Sequence, residues 1–289
     1  PKNLLTENEF QYLKNKLEKE DNCTVYKHPD ILFFGKINEK KDYYLQMEAA
    51  RVAGSKLFDL LKSENITSVQ LSNLSHPELL SSFLEGLLIS GYSFSKYKKQ
   101  KDDFSLDEIF IYGETFSENQ INEMLNLVQA VFYARNLVNE PPSCLTASQL
   151  SEEIIKLGEK AGFSVEVLNK EKIETLKMGG LLAVNKGSVD PPTFTIMEWK
   201  PENAVNQNPV VLVGKGVVFD TGGLSLKPTQ KSMDFMKSDM AGGAITAATI
   251  YAAAKNKLPV HLVGLVPATD NRPDGNAFAP GDIITMFDG

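Results

Sequence analysis

The chain has 289 residues, of which 42% are hydrophobic and 23% charged, with 20 Gly and 14 Pro. This ordinary globular composition excludes a disordered chain, a collagen-like repeat and a coiled-coil rod. The length suggests about two domains at roughly 150 residues each. The formal net charge of -7 argues against nucleic acid as a partner, because non-specific binding depends on neutralising phosphates. No apolar run approaches the roughly 20 residues of a membrane helix, so we expect no membrane association.

The two cysteines, Cys23 and Cys144, are far apart and lie in no metal-binding spacing. A disulfide framework is therefore not expected, and the pattern fits a reducing compartment. The chain starts with polar residues rather than with a secretory signal peptide. We therefore expect a cytoplasmic protein.

The first third of the chain alternates strand-like and helix-like segments. A short apolar strand is predicted at 31–34 and another strand at 110–112. Between them, apolar residues at helical spacing predict a helix over 76–89.

The clearest helix is predicted from Ser117 to Val138. Ser117 and Gln120 have the spacing of a capping box, and apolar residues then recur along one face. We expect this long helix to connect two domains. The smaller one, residues 1–116, is an amino-terminal α/β domain, and residues 117–289 contain the linker helix and a larger domain.

The pattern after the linker helix predicts helices at 147–161 and 240–255 and strands at 164–168, 193–199, 209–213 and 260–266. Continuous apolar strands separated by helices favour a parallel sheet that is covered on both faces. The predicted fold class is therefore α/β, with a mainly parallel sheet in the larger domain.

The residues that carry chemistry follow the predicted strand at 209–213. Lys215 stands where that strand is predicted to end, Asp220 comes five residues later beside two glycines, and Lys227 and Asp239 follow. Ligand sites of parallel sheets gather at the carboxyl ends of the strands. Two carboxylates and two lysines that meet there could bind one or two divalent cations, with one neutral lysine amine as an auxiliary ligand. The other lysine could stay charged and polarise a carbonyl.

Each of these residues also has an ordinary structural interpretation. Asp239 directly precedes a predicted helix and could cap its amino terminus. Asp220 could form an Asx turn with the glycines that follow it, and a lysine at a strand end is usually solvated. The segment 214–216, Gly-Lys-Gly, fits neither a dinucleotide-binding fingerprint nor a phosphate-binding loop. Composition and spacing alone indicate an α/β protein with a polar site.

This segment resembles the signature of the leucine aminopeptidase (cytosol aminopeptidase) family of dizinc exopeptidases. The resemblance rests on the order Lys215, Asp220, Lys227, on Met-x-x-Asp-Met at 236–240, and on Leu-Pro-Val-His-Leu-Val-Gly-Leu-Val-Pro at 258–267. Pro-Gly-Asp-Ile-Ile at 280–284 and weaker stretches from about residue 80 onward extend it.

The resemblance implies a metal-dependent aminopeptidase that removes amino-terminal residues, with a leucine-type preference, from peptides with a free amino terminus. Lys215, Asp220 and Asp239 would be ligands of two divalent metal ions, zinc or manganese, and Asp220 would bridge them. Lys227 would be the catalytic lysine that stabilises the substrate carbonyl. Met236 would line the pocket for the first side chain of the substrate. The reaction would be metal-assisted hydrolysis.

The resemblance also has implications for the whole protein. Family members are usually homo-hexamers, and residues 117–289 would form the linker helix and the first part of the metallopeptidase catalytic domain. The family's Asn-Thr-Asp-Ala-Glu-Gly-Arg motif should follow shortly after Gly289, so a further Asp ligand, a bridging Glu ligand and the catalytic Arg would lie beyond that residue. We therefore expect that the chain is a truncated form and that it does not hydrolyse leucyl substrates by itself.

Two other functions are compatible with the sequence. A catalytically inactive or truncated family member could act as a binding or structural protein, since a protein can keep its fold after losing its catalytic activity. Retention of all four predicted polar site residues argues against this alternative. A nucleotide-binding domain at 1–116 would rest on fold analogy alone.

Overall fold

The computed structural model describes residues 4–38, 42–72, 77–99, 104–112 and 116–288. The chain divides into two compact units, Pro1–Gln120 and Ile121–Gly289. In the described part of the chain, no helix combines the length and the apolar character that crossing a membrane requires.

The first unit begins with helix α1 (Glu7–Leu17) and a hairpin of the antiparallel strands β1 (Asn22–Lys27) and β2 (Asp30–Gly35). A capping box starts α1, because the Thr6 side chain accepts a hydrogen bond from the Glu9 N–H and the Glu9 carboxylate accepts one from the Thr6 N–H. The predicted strand at 31–34 lies within β2 and is confirmed.

The rest of the first unit contains helix α2 (Tyr43–Ser63), strand β3 (Ser68–Ser72), helix α3 (Pro77–Ser90) and strand β4 (Glu108–Tyr112). Strands β3 and β4 are parallel. The predicted helix at 76–89 corresponds to α3, although residue 76 lies outside the described residues, and the predicted strand at 110–112 lies within β4.

Helices α2 and α3 pack closely because each has a glycine at the contact. A Cβ atom on Gly86 would lie 2.0 Å from the Arg51 carbonyl oxygen, and one on Gly54 would lie 2.1 Å from the Phe83 carbonyl oxygen. An ion pair of 2.7 Å between Arg51 Nε and Glu85 Oε2 joins the same two helices.

The second unit contains a five-stranded sheet with helices around it. Its elements are, in chain order, α4 (Glu118–Asn139), α5 (Ala147–Ala161), β5 (Ser164–Leu168), α6 (Lys170–Thr175), α7 (Gly179–Asn185), β6 (Thr193–Trp199), β7 (Val210–Val213), β8 (Gly216–Asp220), a 3-10 helix (Met233–Ser238), α8 (Ala241–Lys255) and β9 (Leu262–Asn271). Helix α4 starts before the boundary between the two units. The capping box predicted for Ser117 and Gln120 is present, with Gln120 N–H donating to Ser117 Oγ over 3.2 Å.

The sheet of the second unit has the strand order β5-β6-β9-β7, and β8 also pairs with β9. Strand β6 is antiparallel to both of its neighbours, whereas β7 and β8 are parallel to β9. The α/β class is confirmed, but the sheet is mixed rather than mainly parallel, so that part of the prediction is wrong. The apolar run at 209–213 favoured a strand that is covered on both faces, but Val210, Val211 and Val213 of β7 are exposed, so an apolar run fixes neither the burial of a strand nor its direction.

Small residues let α8 approach this sheet closely. Ala244 and Ala247 are fully buried in the core, and so are Met197 of β6 and Val266 of β9. The approach is tight at Gly264 of β9, where a Cβ atom would lie 3.1 Å from Thr246 Cγ2 and 3.3 Å from Ile250 Cγ1 of α8. Close packing of this kind fixes the amino-terminal end of α8 against the strands that carry the predicted site residues.

Candidate metal centre

Lys215 lies between β7 and β8. These two strands follow one another along one edge of β9, and β6 pairs with the other edge. Before Lys215, the Gly214 N–H donates to the Leu265 carbonyl over 2.9 Å, and after it Gly216 pairs with Ala268. The predicted strand end before Lys215 is confirmed, because β7 ends at Val213, but pairing with β9 resumes in β8, which the sequence did not predict. Glycine is needed at 214 for packing, since a Cβ atom there would lie 2.4 Å from the Gly242 carbonyl oxygen of α8.

Lys215 pairs with Asp239 at the start of α8. Lys215 Nζ lies 2.5 Å from Asp239 Oδ2, and the aspartate side chain is 21% exposed. The Asp239 Oδ2 atom is buried and accepts no hydrogen bond. The contact is thus a close ion pair without hydrogen-bond alignment, and this oxygen has no aligned donor. The capping interpretation of Asp239 is wrong, because the N-cap of α8 is Met240 and no side chain caps that end.

Asp220 is the last residue of β8, and three donors hold its carboxylate. Oδ2 accepts a hydrogen bond of 2.6 Å from Lys227 Nζ. Oδ1 accepts one of 2.9 Å from the Gly222 N–H, which confirms the predicted Asx turn, and one of 2.8 Å from Asn271 Nδ2. Burial raises the pKa of the Asp220 carboxyl, but the hydrogen bonds from Lys227, Gly222 and Asn271 and the Lys227 charge outweigh burial and lower this pKa to about 2.

A glycine turn returns the chain from Asp220 to Lys227. Gly222 and Gly223 have φ angles of +87° and +64°, a backbone region that glycine enters without steric cost. The Lys227 N–H closes the turn on the Thr221 carbonyl over 2.9 Å. Lys227 therefore lies beside Asp220 although six residues separate them in the sequence.

Met236 connects the two lysine–aspartate pairs. Lys227 Nζ lies 3.0 Å from Met236 Sδ, and the Met236 carbonyl accepts a hydrogen bond of 3.2 Å from the Asp239 N–H. The five predicted site residues thus form one continuous chain of contacts, in the order Lys215, Asp239, Met236, Lys227, Asp220.

This donor set fits a divalent cation. The Lys215 amine lies beside the Asp239 carboxylate and Lys227 beside the Asp220 carboxylate, and the buried Asp239 Oδ2 lacks an aligned donor, as a prospective ligand atom should. Among the residues that the structure describes, no group of three or more His, Cys, Asp or Glu side chains is arranged to hold a metal ion. Within this part of the chain, a third protein ligand would have to be the Lys215 amine.

Two residues near the site were missed by the sequence analysis. Asn271 donates to Asp220 across 51 residues of sequence, and Lys237 Nζ donates to the Asn139 carbonyl at the end of α4 over 2.7 Å. A cation at that position interacts favourably with a helix carboxyl terminus and holds the 3-10 helix that carries Met236. Only the pairing of β8 with β9 could have identified Asn271, and the sequence does not indicate that pairing.

Residues 132–289 match the catalytic domain of the cytosol aminopeptidase family. The chain is 38% identical over 296 residues to a probable cytosol aminopeptidase of Clostridium tetani, covering 97% of this chain and 60% of that protein. It is 56% identical over 155 residues to one of Chloroherpeton thalassium, covering 54% of this chain and 30% of that protein. The chain thus spans between 30% and 60% of the length of these two relatives.

Solved structures have the same fold. The bottromycin maturation enzyme BotP in complex with Mn superposes with a TM-score of 0.79 at 27% identity, over 93% of this chain and 57% of that one. A point mutant of tomato leucine aminopeptidase superposes with a TM-score of 0.84 at 21% identity, over 97% of this chain and 56% of that one, and this likeness concerns the fold alone. Since the family match covers more than half of the chain and includes every predicted site residue, the chain belongs to the cytosol aminopeptidase family.

Proposed function

We propose that the protein containing this chain is a metal-dependent aminopeptidase that removes amino-terminal residues, with a leucine-type preference, from peptides. The observation that carries the proposal is the continuous chain of contacts through Lys215, Asp239, Met236, Lys227 and Asp220. Membership of the cytosol aminopeptidase family supports the same reaction class.

Lys215, Asp220 and Asp239 are the residues that would hold two divalent metal ions, zinc or manganese. Such ions, when bound, act as Lewis acids and generate a nucleophile from water at neutral pH. The structure of BotP in complex with Mn, which has the same fold, supports dependence on a divalent cation. The two carboxylates supply only part of a two-ion ligand set, so further carboxylate ligands have to come from residues outside the described part of the chain.

Lys227 is the residue that we assign to the substrate carbonyl. Its ammonium group is held on one side by Asp220 Oδ2 and on the other by Met236 Sδ, so its position is fixed before substrate binds. A fixed positive charge stabilises the negative charge that develops on a carbonyl oxygen during hydrolysis. Met236 then lies beside the reacting centre, where it would contact the first side chain of the substrate.

The assembly and location of the protein are further parts of the proposal. Family resemblance favours a homo-hexamer in the cytoplasm, with the catalytic groups in the unit formed by Ile121–Gly289 and a separate amino-terminal domain. Light scattering of the full-length protein would measure the number of subunits, and a mass of one subunit would contradict the hexamer.

The direct test is hydrolysis of leucine p-nitroanilide by the full-length protein. We expect turnover with manganese or zinc, loss of turnover after exhaustive chelation, and recovery when the metal is added back. An acetylated leucyl substrate is the matched control, because an aminopeptidase requires a free amino terminus. Activity that survives chelation, or equal cleavage of the acetylated substrate, would contradict the proposal. A protein that binds the metals but cleaves neither substrate would support the alternative of a non-catalytic binding protein.

A further inference from the structure

We propose that Asn271 is a positioning residue that fixes the orientation of the Asp220 carboxylate for metal binding. The inference rests on the proposed function, in which Asp220 is a metal ligand. Asn271 is the last residue of β9 and Asp220 the last residue of β8, and the two are register partners in the sheet. The ladder is irregular between Val217 and Asp220, and this irregularity brings Asp220 opposite Asn271.

The Asn271 amide controls one oxygen of the carboxylate. Asn271 Nδ2 donates to Asp220 Oδ1 over 2.8 Å, and the Gly222 N–H donates to the same oxygen over 2.9 Å. The terminal torsion of an aspartate is broad, so a carboxylate without such contacts can rotate. Two donors on Oδ1 restrict that rotation and leave Oδ2 directed towards Lys227.

Thr221 holds the backbone of Asn271, and Gly223 leaves space for its side chain. Its backbone carbonyl accepts hydrogen bonds from the Thr221 N–H over 3.0 Å and from Thr221 Oγ1 over 2.7 Å. A Cβ atom on Gly223 would lie 2.8 Å from Asn271 Oδ1. Only glycine at position 223 therefore leaves enough space for the Asn271 side-chain amide. The Thr221 hydrogen bonds therefore fix the backbone of Asn271, and the missing side chain of Gly223 leaves room for the amide that donates to Asp220.

An amide is chemically suited to this position. An ionised carboxylate can only accept hydrogen bonds, so its partner must be a donor. A neutral donor orients the ligand without adding a positive charge that would repel a cation. Partners of metal ligands in other proteins act in this way, and their loss typically costs about 10- to 100-fold in metal affinity or activity.

The test compares the full-length protein with its Asn271→Ala and Asn271→Leu variants. Both substitutions keep the backbone carbonyl that Thr221 contacts, and leucine also keeps the approximate shape of the side chain. We expect calorimetric titration with manganese alone to give a dissociation constant raised by about 10-fold or more in each variant. At saturating manganese we expect a lower kcat with little change in the KM of leucine p-nitroanilide, a split that a purely structural defect would not produce.

The matched control is Asn126→Ala. Asn126 Nδ2 donates to Asn256 Oδ1 over 2.8 Å, so this variant loses an amide hydrogen bond of the same length between α4 and the end of α8. We expect its manganese affinity to equal that of the wild type. Equal weakening in the Asn126 and Asn271 variants would mean a general structural effect and would overturn the inference.

The remaining outcomes separate the inference from the proposed function. Folded Asn271 variants that bind manganese within about twofold of the wild type would overturn the inference and leave the aminopeptidase proposal intact. A wild type that binds manganese but cleaves no substrate would overturn the proposed function, while the affinity comparison would still support the role of Asn271. A wild type that binds neither manganese nor zinc would overturn both, because Asp220 would then be no ligand of either metal.

Discussion

Lys227 Nζ and Asp220 Oδ2 lie 2.6 Å apart, so the proposed electrophile is paired with the proposed bridging ligand. Lys215 and Asp239 form a second pair of the same kind at 2.5 Å. Each predicted ligand carboxylate thus has an ammonium group next to it. A divalent cation that binds Asp220 has to compete with the Lys227 ammonium group, whereas Lys215 would have to lose its proton and bind the ion together with Asp239.

Replacement of Lys227 by methionine tests its assignment to the substrate carbonyl. We expect kcat to fall by about 100-fold or more, as when one stabilising donor is removed from a developing oxyanion. Manganese affinity should be unchanged or higher, because the ammonium group that competes for Asp220 is gone. Steady-state kinetics and calorimetry measure the two effects. Lys231→Met removes a charge from the same loop and should leave both quantities unchanged, and a similar loss in both variants would contradict the assignment.

Asp239→Asn tests the ligand role of the buried carboxylate. The substitution keeps the shape of the side chain but removes its charge, so we expect the manganese affinity to fall by more than the roughly 10- to 100-fold typical of a lost outer partner. The increase in melting temperature caused by manganese should shrink in parallel. Asp234→Asn is the control, since Asp234 lies in the 3-10 helix that directly precedes Asp239 and accepts hydrogen bonds from the Lys231 and Ser232 N–H groups. An unchanged affinity in Asp239→Asn would show that this carboxylate binds no metal.

Gly214→Ala tests the close packing that places Lys215. The added Cβ atom would lie 2.4 Å from the Gly242 carbonyl oxygen, so α8 or the strand has to move. We expect the free energy of unfolding to fall by about 1–3 kcal/mol, the usual cost of overpacking. Gly275→Ala is the control, because a Cβ atom there has no neighbour within 4 Å. Urea unfolding of both variants measures the difference, and equal stabilities would contradict the packing argument.

Met236→Ala tests the proposed contact with the first side chain of the substrate. Loss of the methionine side chain should lower kcat/KM for leucyl substrates relative to alanyl substrates by about 10-fold, within the range for small changes in an apolar pocket. Phe235→Ala is the control, because Phe235 is 62% exposed on the same 3-10 helix. A leucyl-to-alanyl ratio that is the same in wild type and Met236→Ala would remove Met236 from the pocket.

Helices and strands whose bounds depend on neighbouring residues in the sequence were predictable. The helix predicted at 147–161 has those bounds in the structure, and its capping box pairs Thr146 with Gln149. The strand predicted at 193–199 also has its predicted bounds. Capping residues and apolar periodicity act over a few residues, so a single sequence contains the information that sets these bounds.

Features that depend on pairing between distant segments were not predictable in the same way. Strand β8 was missed because Gly214 and Gly216 look like a strand end, whereas the structure uses them for contact with α8 and β9. The antiparallel direction of β6 and the contact of Asn271 with Asp220 also depend on which strands are neighbours. The sequence therefore predicted which residues form the candidate site, but it did not predict that Asn271 contacts the Asp220 carboxylate.

The most direct test of the central claim is a crystal structure of the full-length protein with zinc, measured at the zinc absorption edge. We expect an anomalous peak about 2.0–2.2 Å from carboxylate oxygens of Asp220 and Asp239, with Lys215 Nζ at a similar distance. A fully occupied zinc peak at a different place, with the Lys215–Asp239 and Lys227–Asp220 pairs still intact, would contradict that claim.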